Sequence, residues 1–150
     1  MTLASRLQED LTAAIRAHDD LRRDTLRMVI SAAYNESKKA RRDLTDDEVV
    51  QVLTREVKTR TESVEAYTNA DRPEAAAKES AEIAIIRDYL PEQLDPAQLE
   101  KLVREAVDES GATSARDMGK VMAVLMPRVR GRADGKQVSA LVNAELAKRG

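Results

Sequence analysis

Tyr89-Leu90-Pro91-Glu92-Gln93-Leu94-Asp95-Pro96 is the stretch on which the organisation of this chain turns. A residue that precedes proline is pushed out of the α region, so a helix arriving from the N-terminal side stops by Leu90. Asp95-Pro96 reads as an N-cap followed by a first helical residue, a place where proline's missing N–H has no helical partner to lose. The stretch is thus a break between two helical regions, and the expected domains are residues 1–92 and 93–150.

On its N-terminal side the apolar residues recur at helical spacing. Leu3, Leu7, Leu11 and Ile15 form one stripe behind Thr2, a plausible N-cap. A second helix is expected from about Leu21 to Arg41. Thr45-Asp46-Asp47-Glu48 has the capping-box spacing, and the valines and Leu53 that follow predict a helix over 46–69. Pro73 fits the first turn of a fourth helix, whose apolar side is expected to carry Ala77, Ala81, Ala84 and Ile85, widened by Ile83 and Ile86.

On the C-terminal side, Leu99, Leu102, Val103 and Ala106 mark a helix closed by Ser110-Gly111. Ser114 with Asp117 opens a short helix carrying Met118, Val121, Met122 and Leu125, ended at or near Pro127. Arg128 to Gly135 reads as a loop, and Asp134 as the cap of a last helix with Val138, Leu141, Val142 and Leu146 inward. No segment alternates like a strand. The expected class is all-α: about four helices, then three.

Composition agrees with this class and excludes several functions. Of 150 residues, 42% are hydrophobic and 35% charged, rich in helix formers. There is no Phe or Trp, so a core must be aliphatic and base-stacking platforms are few. With no cysteine there are no disulfides, thiolate catalysis or cysteine–zinc sites, and the single His18 rules out a multi-histidine metal site. No apolar run approaches the roughly 20 residues that span a bilayer. No metal, cofactor or membrane partner is expected, and the expected location is cytoplasmic.

Phosphate-loop, nucleophile-elbow and H-E-x-x-H signatures are also missing, and no catalytic residue is assigned. His18 reads as a helix-end residue. Asp46-Asp47-Glu48 reads as a first helical turn and not as a cation site.

Charge is unevenly spread. Residues 114–150 hold eight basic and three acidic side chains, whereas the other 113 residues hold 17 basic and 24 acidic ones. Such a split suits an electropositive end that meets an anion, and equally a chance division of solvated charge. Within it, Arg128, Arg130 and Arg132 alternate with Val129 and Gly131. In an extended loop these guanidinium groups would share one face and bind successive phosphates. Gly119, Gly131 and Gly135 would let a ligand approach the backbone. The same residues also suit a flexible basic connector with turn glycines.

The stretch DMGKVMAVLMPRVRGRADGKQVSALV at 117–142, with TLRM at 25–28, LTDDEV at 44–49 and YLPEQL at 89–94, resembles the GatB/YqeY family, specifically its stand-alone YqeY-like members. The resemblance covers nearly the whole chain. It implies an N-terminal helical domain and a three-helix domain similar to the tail of the B subunit of tRNA-dependent amidotransferase, where the tail helps hold the tRNA. The family label is carbon–nitrogen ligase with glutamine as amido-N-donor. In the larger enzyme, however, activation and glutamine hydrolysis belong to domains that these 150 residues have no room for, so catalysis by this chain alone is not expected. What the resemblance carries over is nucleic-acid binding by Gly119, Lys120, Arg128, Arg130, Gly131, Arg132, Ala133, Asp134, Gly135 and Lys136. The implied partners are tRNA or another structured RNA. The alternative is a protein–protein adaptor that docks on an amidotransferase or an aminoacyl-tRNA synthetase without binding RNA.

Overall fold

The computed structural model describes residues 1–150, and the chain is all-helical, as its sequence implies. Seven α-helices follow in order: α1 Leu3–Arg16, α2 Asp20–Ala40, α3 Asp46–Asn69, α4 Pro73–Arg87, α5 Pro96–Ser110, α6 Met118–Val129 and α7 Gly135–Arg149, with a 3-10 turn at Ala115–Asp117. They form two compact units, Met1–Leu90 with α1–α4 and Pro91–Gly150 with α5–α7.

Helix boundaries are set locally. The Thr2 hydroxyl accepts from the Ser5 N–H, Asp19 from the Arg22 N–H and Asp95 from the Gln98 N–H, each filling an orphan donor at a helix start. At α3 the capping box closes both ways. The Glu48 N–H donates to Thr45 Oγ1 at 3.2 Å, and the Thr45 N–H to Glu48 Oε1 at 3.0 Å. Arg42 also grips Glu48 through both oxygens, at 2.7 and 3.0 Å. Together these hold the Glu48 carboxyl at about 2, well below its ordinary value. The turns after α1, α2 and α3 each contain one left-handed residue, His18, Arg41 and Asp71. His18 is exposed there, and its N–H donates to the Ile15 carbonyl, so it serves the turn.

In the N-terminal unit α1 packs on α2 and α3 on α4. Leu7, Leu26, Val29, Val49, Leu53, Ile86 and Tyr89 form its core. Burying each aliphatic side chain here contributes about 1.5–3 kcal/mol. The buried face of α4 differs from the sequence expectation. It is Ala76, Glu82, Ile83 and Ile86, while Ala77 and Ala84 are exposed. The helix is turned so that Glu82 meets Arg60 of α3, at 3.4 Å, with both side chains below a tenth exposed. A buried ion pair decides the face where small alanines leave it undecided.

The C-terminal unit buries Leu99, Val103, Val107, Val121, Leu125, Val138, Val142 and Leu146 between its three helices. Its α6 is longer than expected. Pro127 lies inside the helix, which runs on to Val129. Val129 is 1% exposed, so its burial favours continuing the helix two residues past the proline. No helix is long and apolar enough to cross a membrane.

Candidate nucleic-acid interface

All ten residues singled out in the sequence lie on α6, on α7 or in the turn between them. Gly119 and Lys120 occupy the first turn of α6. Arg128 lies in its last turn and Arg130 caps it, the Arg130 N–H donating to the Met126 carbonyl. The chain then reverses at Gly131, which is buried with φ 74°, a left-handed value that explains glycine at this position. Ala133 packs partly buried against the core of the unit. Asp134 caps α7 by accepting from the Lys136 N–H at 3.1 Å, and Gly135 is the first helical residue.

The three arginines do not share one face of an extended loop. Because α6 continues to Val129, Arg128 projects from a helix towards α5, where it forms a two-pronged pair with Glu109, its shorter arm 2.6 Å. That guanidinium holds the Glu109 carboxyl below the usual carboxylate range. Arg132 folds back as an internal brace. Its Nε donates to the Glu92 carbonyl at 3.0 Å and its Nη1 to the Arg128 carbonyl at 3.1 Å. Backbone bonds complete the brace: Leu94 N–H donates to the Arg132 carbonyl, and the Gln93 amide to the Gly131 carbonyl at 2.8 Å. Gln93 is therefore part of the loop's support, which the sequence signalled only as a linker residue.

Arg130 and Lys136 remain exposed and pair with no carboxylate. Lys120 is also extended into solvent, 3.6 Å from Asp117. Asp117 accepts from the Thr113 N–H at 2.9 Å, and that bond, helped by Lys120, holds its carboxyl below the ordinary value. Arg116 is a further exposed cation beside this turn. At the other end of the basic segment, Arg149 is tied to Asp108 and Glu145.

The charge of the whole unit follows from these pairings. Residues 91–150 hold ten basic and nine acidic side chains, close to balance. The excess of the 114–150 segment is offset by α5, whose Asp108 and Glu109 neutralise Arg149 and Arg128. Within residues 114–150, Arg116, Arg130, Lys136 and Lys148 are exposed cations with no carboxylate partner, and Lys120 stands 3.6 Å from Asp117.

The glycines supply a second observation. A Cβ placed on Gly119 or Gly135 would meet no heavy atom within 4 Å, and neither backbone is left-handed. Nothing in the fold requires glycine at these two positions, and each is followed directly by a solvent-exposed lysine. The chemistry available here is anion binding by exposed cations and by the start of α6, which no side chain caps, whereas at α7 the Asp134 carboxylate already occupies the Lys136 N–H. No nucleophile with an activating base stands nearby, and no three His, Cys, Asp or Glu side chains converge.

Comparison with known proteins adds the following. The family described as "Yqey-like protein" matches residues 4–146. A Pyrenophora tritici-repentis protein named "Altered inheritance of mitochondria protein 41, mitochondrial" is 31% identical over 139 residues, covering 89% of this chain and 75% of that protein. Proteins of the same name are similar in Vanderwaltozyma polyspora, at 27% identity over 75% of this chain and 64% of the relative, and in Lachancea thermotolerans, at 32% over 56% and 46%. The chain thus spans between about half and three-quarters of the length of these relatives.

Proposed function

The chain belongs to the YqeY-like family, and from that premise we propose that its C-terminal unit binds structured RNA, and tRNA in particular, at the starts of α6 and α7. The observation that supports this reading most is the pairing of Gly119 with Lys120 and of Gly135 with Lys136. Both glycines are unexplained by packing, and both stand at a helix start beside a solvent-exposed cation. Phosphate oxygens suit such places, because the approach is to backbone and ammonium and needs no aromatic stacking. The family's likeness to the tail of the amidotransferase B subunit points the same way. The role proposed is accessory: holding RNA for an amidotransferase or a synthetase, with no chemical step assigned to this chain.

Arg130 and Lys136 carry the binding in this proposal, and Arg128 and Arg132 shape the loop. Mapping amide shifts during addition of tRNA tests it. Perturbations should gather at Gly119, Lys120, Arg130, Gly135 and Lys136. Shifts confined to α5 or to the N-terminal unit would overturn the assignment. A cytoplasmic location is part of the same proposal. Three relatives are named as mitochondrial, so cell fractionation with an organelle marker is the direct check.

A further inference from the structure

Helices α6 and α7 run antiparallel. Residues 130–134 join the end of one to the start of the other. Gly150, at the end of α7, lies against the turn before α6, where an added Cβ would stand 3.4 Å from the Thr113 carbonyl oxygen and 3.7 Å from the Ser114 Cα. Along α6, Lys120, Ala123, Pro127 and Arg130 recur at i, i+3, i+7 and i+10, the spacing of one helix face, and all four are exposed. Along α7, Lys136, Ala140, Asn143 and Ala147 form a similar exposed line that starts from the opposite end.

Charge on this surface sits at its two ends. Arg116 and Lys120 stand at one end with Asp117, and Arg130 and Lys136 at the other with Asp134, so cations outnumber the capping carboxylate at each. Ten residues at 1.5 Å each put Lys120 and Arg130 roughly 15 Å apart along the axis. The interval between is neutral. No acidic residue lies on α6, and Glu145, the only one on α7, is tied to Arg149 with its side chain 14% exposed. Lys148 is exposed too, but it lines a small groove between α5 and α7 together with Glu100 and lies outside both lines.

This pattern favours a double helix over a single strand. Consecutive phosphates of one strand would call for cations along the whole surface, and unstacked bases for aromatic platforms, of which residues 91–150 have none. Two cationic ends with a neutral interval suit two backbones with a groove between them. The minor groove of B-form DNA, about 6 Å wide, is too narrow for that interval, and its major groove, about 8.5 Å deep, has a floor that alanine and proline side chains do not reach. The minor groove of A-form RNA is wide and shallow and displays its 2′-hydroxyls at the surface. Small side chains fit there, and the Asn143 amide can donate to and accept from those hydroxyls.

We infer that α6 and α7 straddle the minor groove of an A-form RNA stem, with Arg116 and Lys120 on one backbone, Arg130 and Lys136 on the other, and Ala123, Ala140 and Asn143 over the 2′-hydroxyls between. This rests on the RNA reading above and adds the class of RNA, helical and not single-stranded. Fluorescence anisotropy with the full chain at one salt concentration tests it on three labelled probes: an RNA duplex of about 16 base pairs, one of its strands alone, and the DNA duplex of the same sequence. The RNA duplex should bind about tenfold more tightly than either of the others, which engage the two cationic ends one at a time. Lys120→Ala and Arg130→Ala should each weaken duplex binding, and Lys148→Ala, on the α5 side, should leave it unchanged. Ala123→Glu sets a carboxylate in the groove and should abolish the duplex preference, and Ala140→Glu serves if that variant unfolds. Strand or DNA that binds as tightly as the RNA duplex overturns the inference and leaves the RNA reading standing. So does a glutamate variant with the wild-type preference, or a loss at Lys148→Ala equal to that at Lys120→Ala. Absence of binding to duplex, strand and tRNA alike overturns both.

Discussion

Alanine at Gly119 and Gly135 separates what the fold needs from what a ligand needs. In the free protein the added methyl group meets no atom within 4 Å, and the backbone is one that alanine adopts freely. Such a change restricts the unfolded chain and stabilises by about 0.4–1 kcal/mol per site. The two positions share no neighbour, so the gains should add. For a unit of this size, residues 91–150, each kcal/mol raises the unfolding midpoint by about 4–8 °C, and the double variant should melt several degrees higher. RNA binding should move the opposite way. A methyl group where a phosphate approaches the backbone displaces it and removes at least one charge-assisted hydrogen bond, about 1.5–3 kcal/mol. That is roughly a ten- to hundredfold loss of affinity. Thermal unfolding followed by circular dichroism and tRNA binding followed by fluorescence anisotropy read the two effects on the same sample. A variant that is more stable and binds tRNA as before would refute the claim that these glycines serve a ligand. A variant that is less stable would refute the claim that the fold leaves them free.

Three further outcomes concern the N-terminal unit. Arg60→Met should cost about 3–5 kcal/mol in denaturant unfolding, because Glu82 is left buried without its cation, and adding Glu82→Gln should recover much of that loss. Burial, reinforced by Glu79, raises the Glu82 carboxyl above its ordinary value, so its charged form costs more in the folded state than in the unfolded one. As pH rises from the ordinary carboxylate range through that raised value, wild type should lose stability relative to Glu82→Gln, and parallel curves would contradict this. Tyr89→Phe removes the hydroxyl that donates to Asp10 at 2.5 Å, with an expected cost of about 1–3 kcal/mol. Burial and Asp10 push the Tyr89 phenol up to about 12, so an absorbance titration should lose its last step in the variant.

The helices were readable because their signals are local. Thr45 and Glu48 bond each other across three residues, Asp95 caps beside Pro96, and Gly111 takes the left-handed turn its position suggests. Features decided by distant partners were not readable. The face of α4 depends on Glu82 meeting Arg60, twenty-two residues away, and a sequence reader takes both for solvated charges. Pro127 looks like a helix end until Val129 is seen to be buried beyond it.

The candidate site shows the same division. The basic segment was visible as composition, but its effective charge was not, since Glu109 and Asp108 on α5 lie outside the counted residues and cancel two of its arginines. Arg132 matched a phosphate-binding pattern and instead braces backbone carbonyls. Gly131 and Gly119 are the same letter in the sequence. Only coordinates distinguish a glycine that the turn requires from one that the fold leaves open.

The most direct test of RNA binding at the α6–α7 face is the salt dependence of tRNA affinity for wild type and for the Arg130→Ala/Lys136→Ala variant. Each phosphate neutralised contributes about 0.7–0.9 to the slope of log affinity against log salt, so the variant should bind more weakly with a slope shallower by about 1.4–1.8. Identical slopes in two equally folded proteins, or a wild-type affinity that salt does not change, would contradict the account.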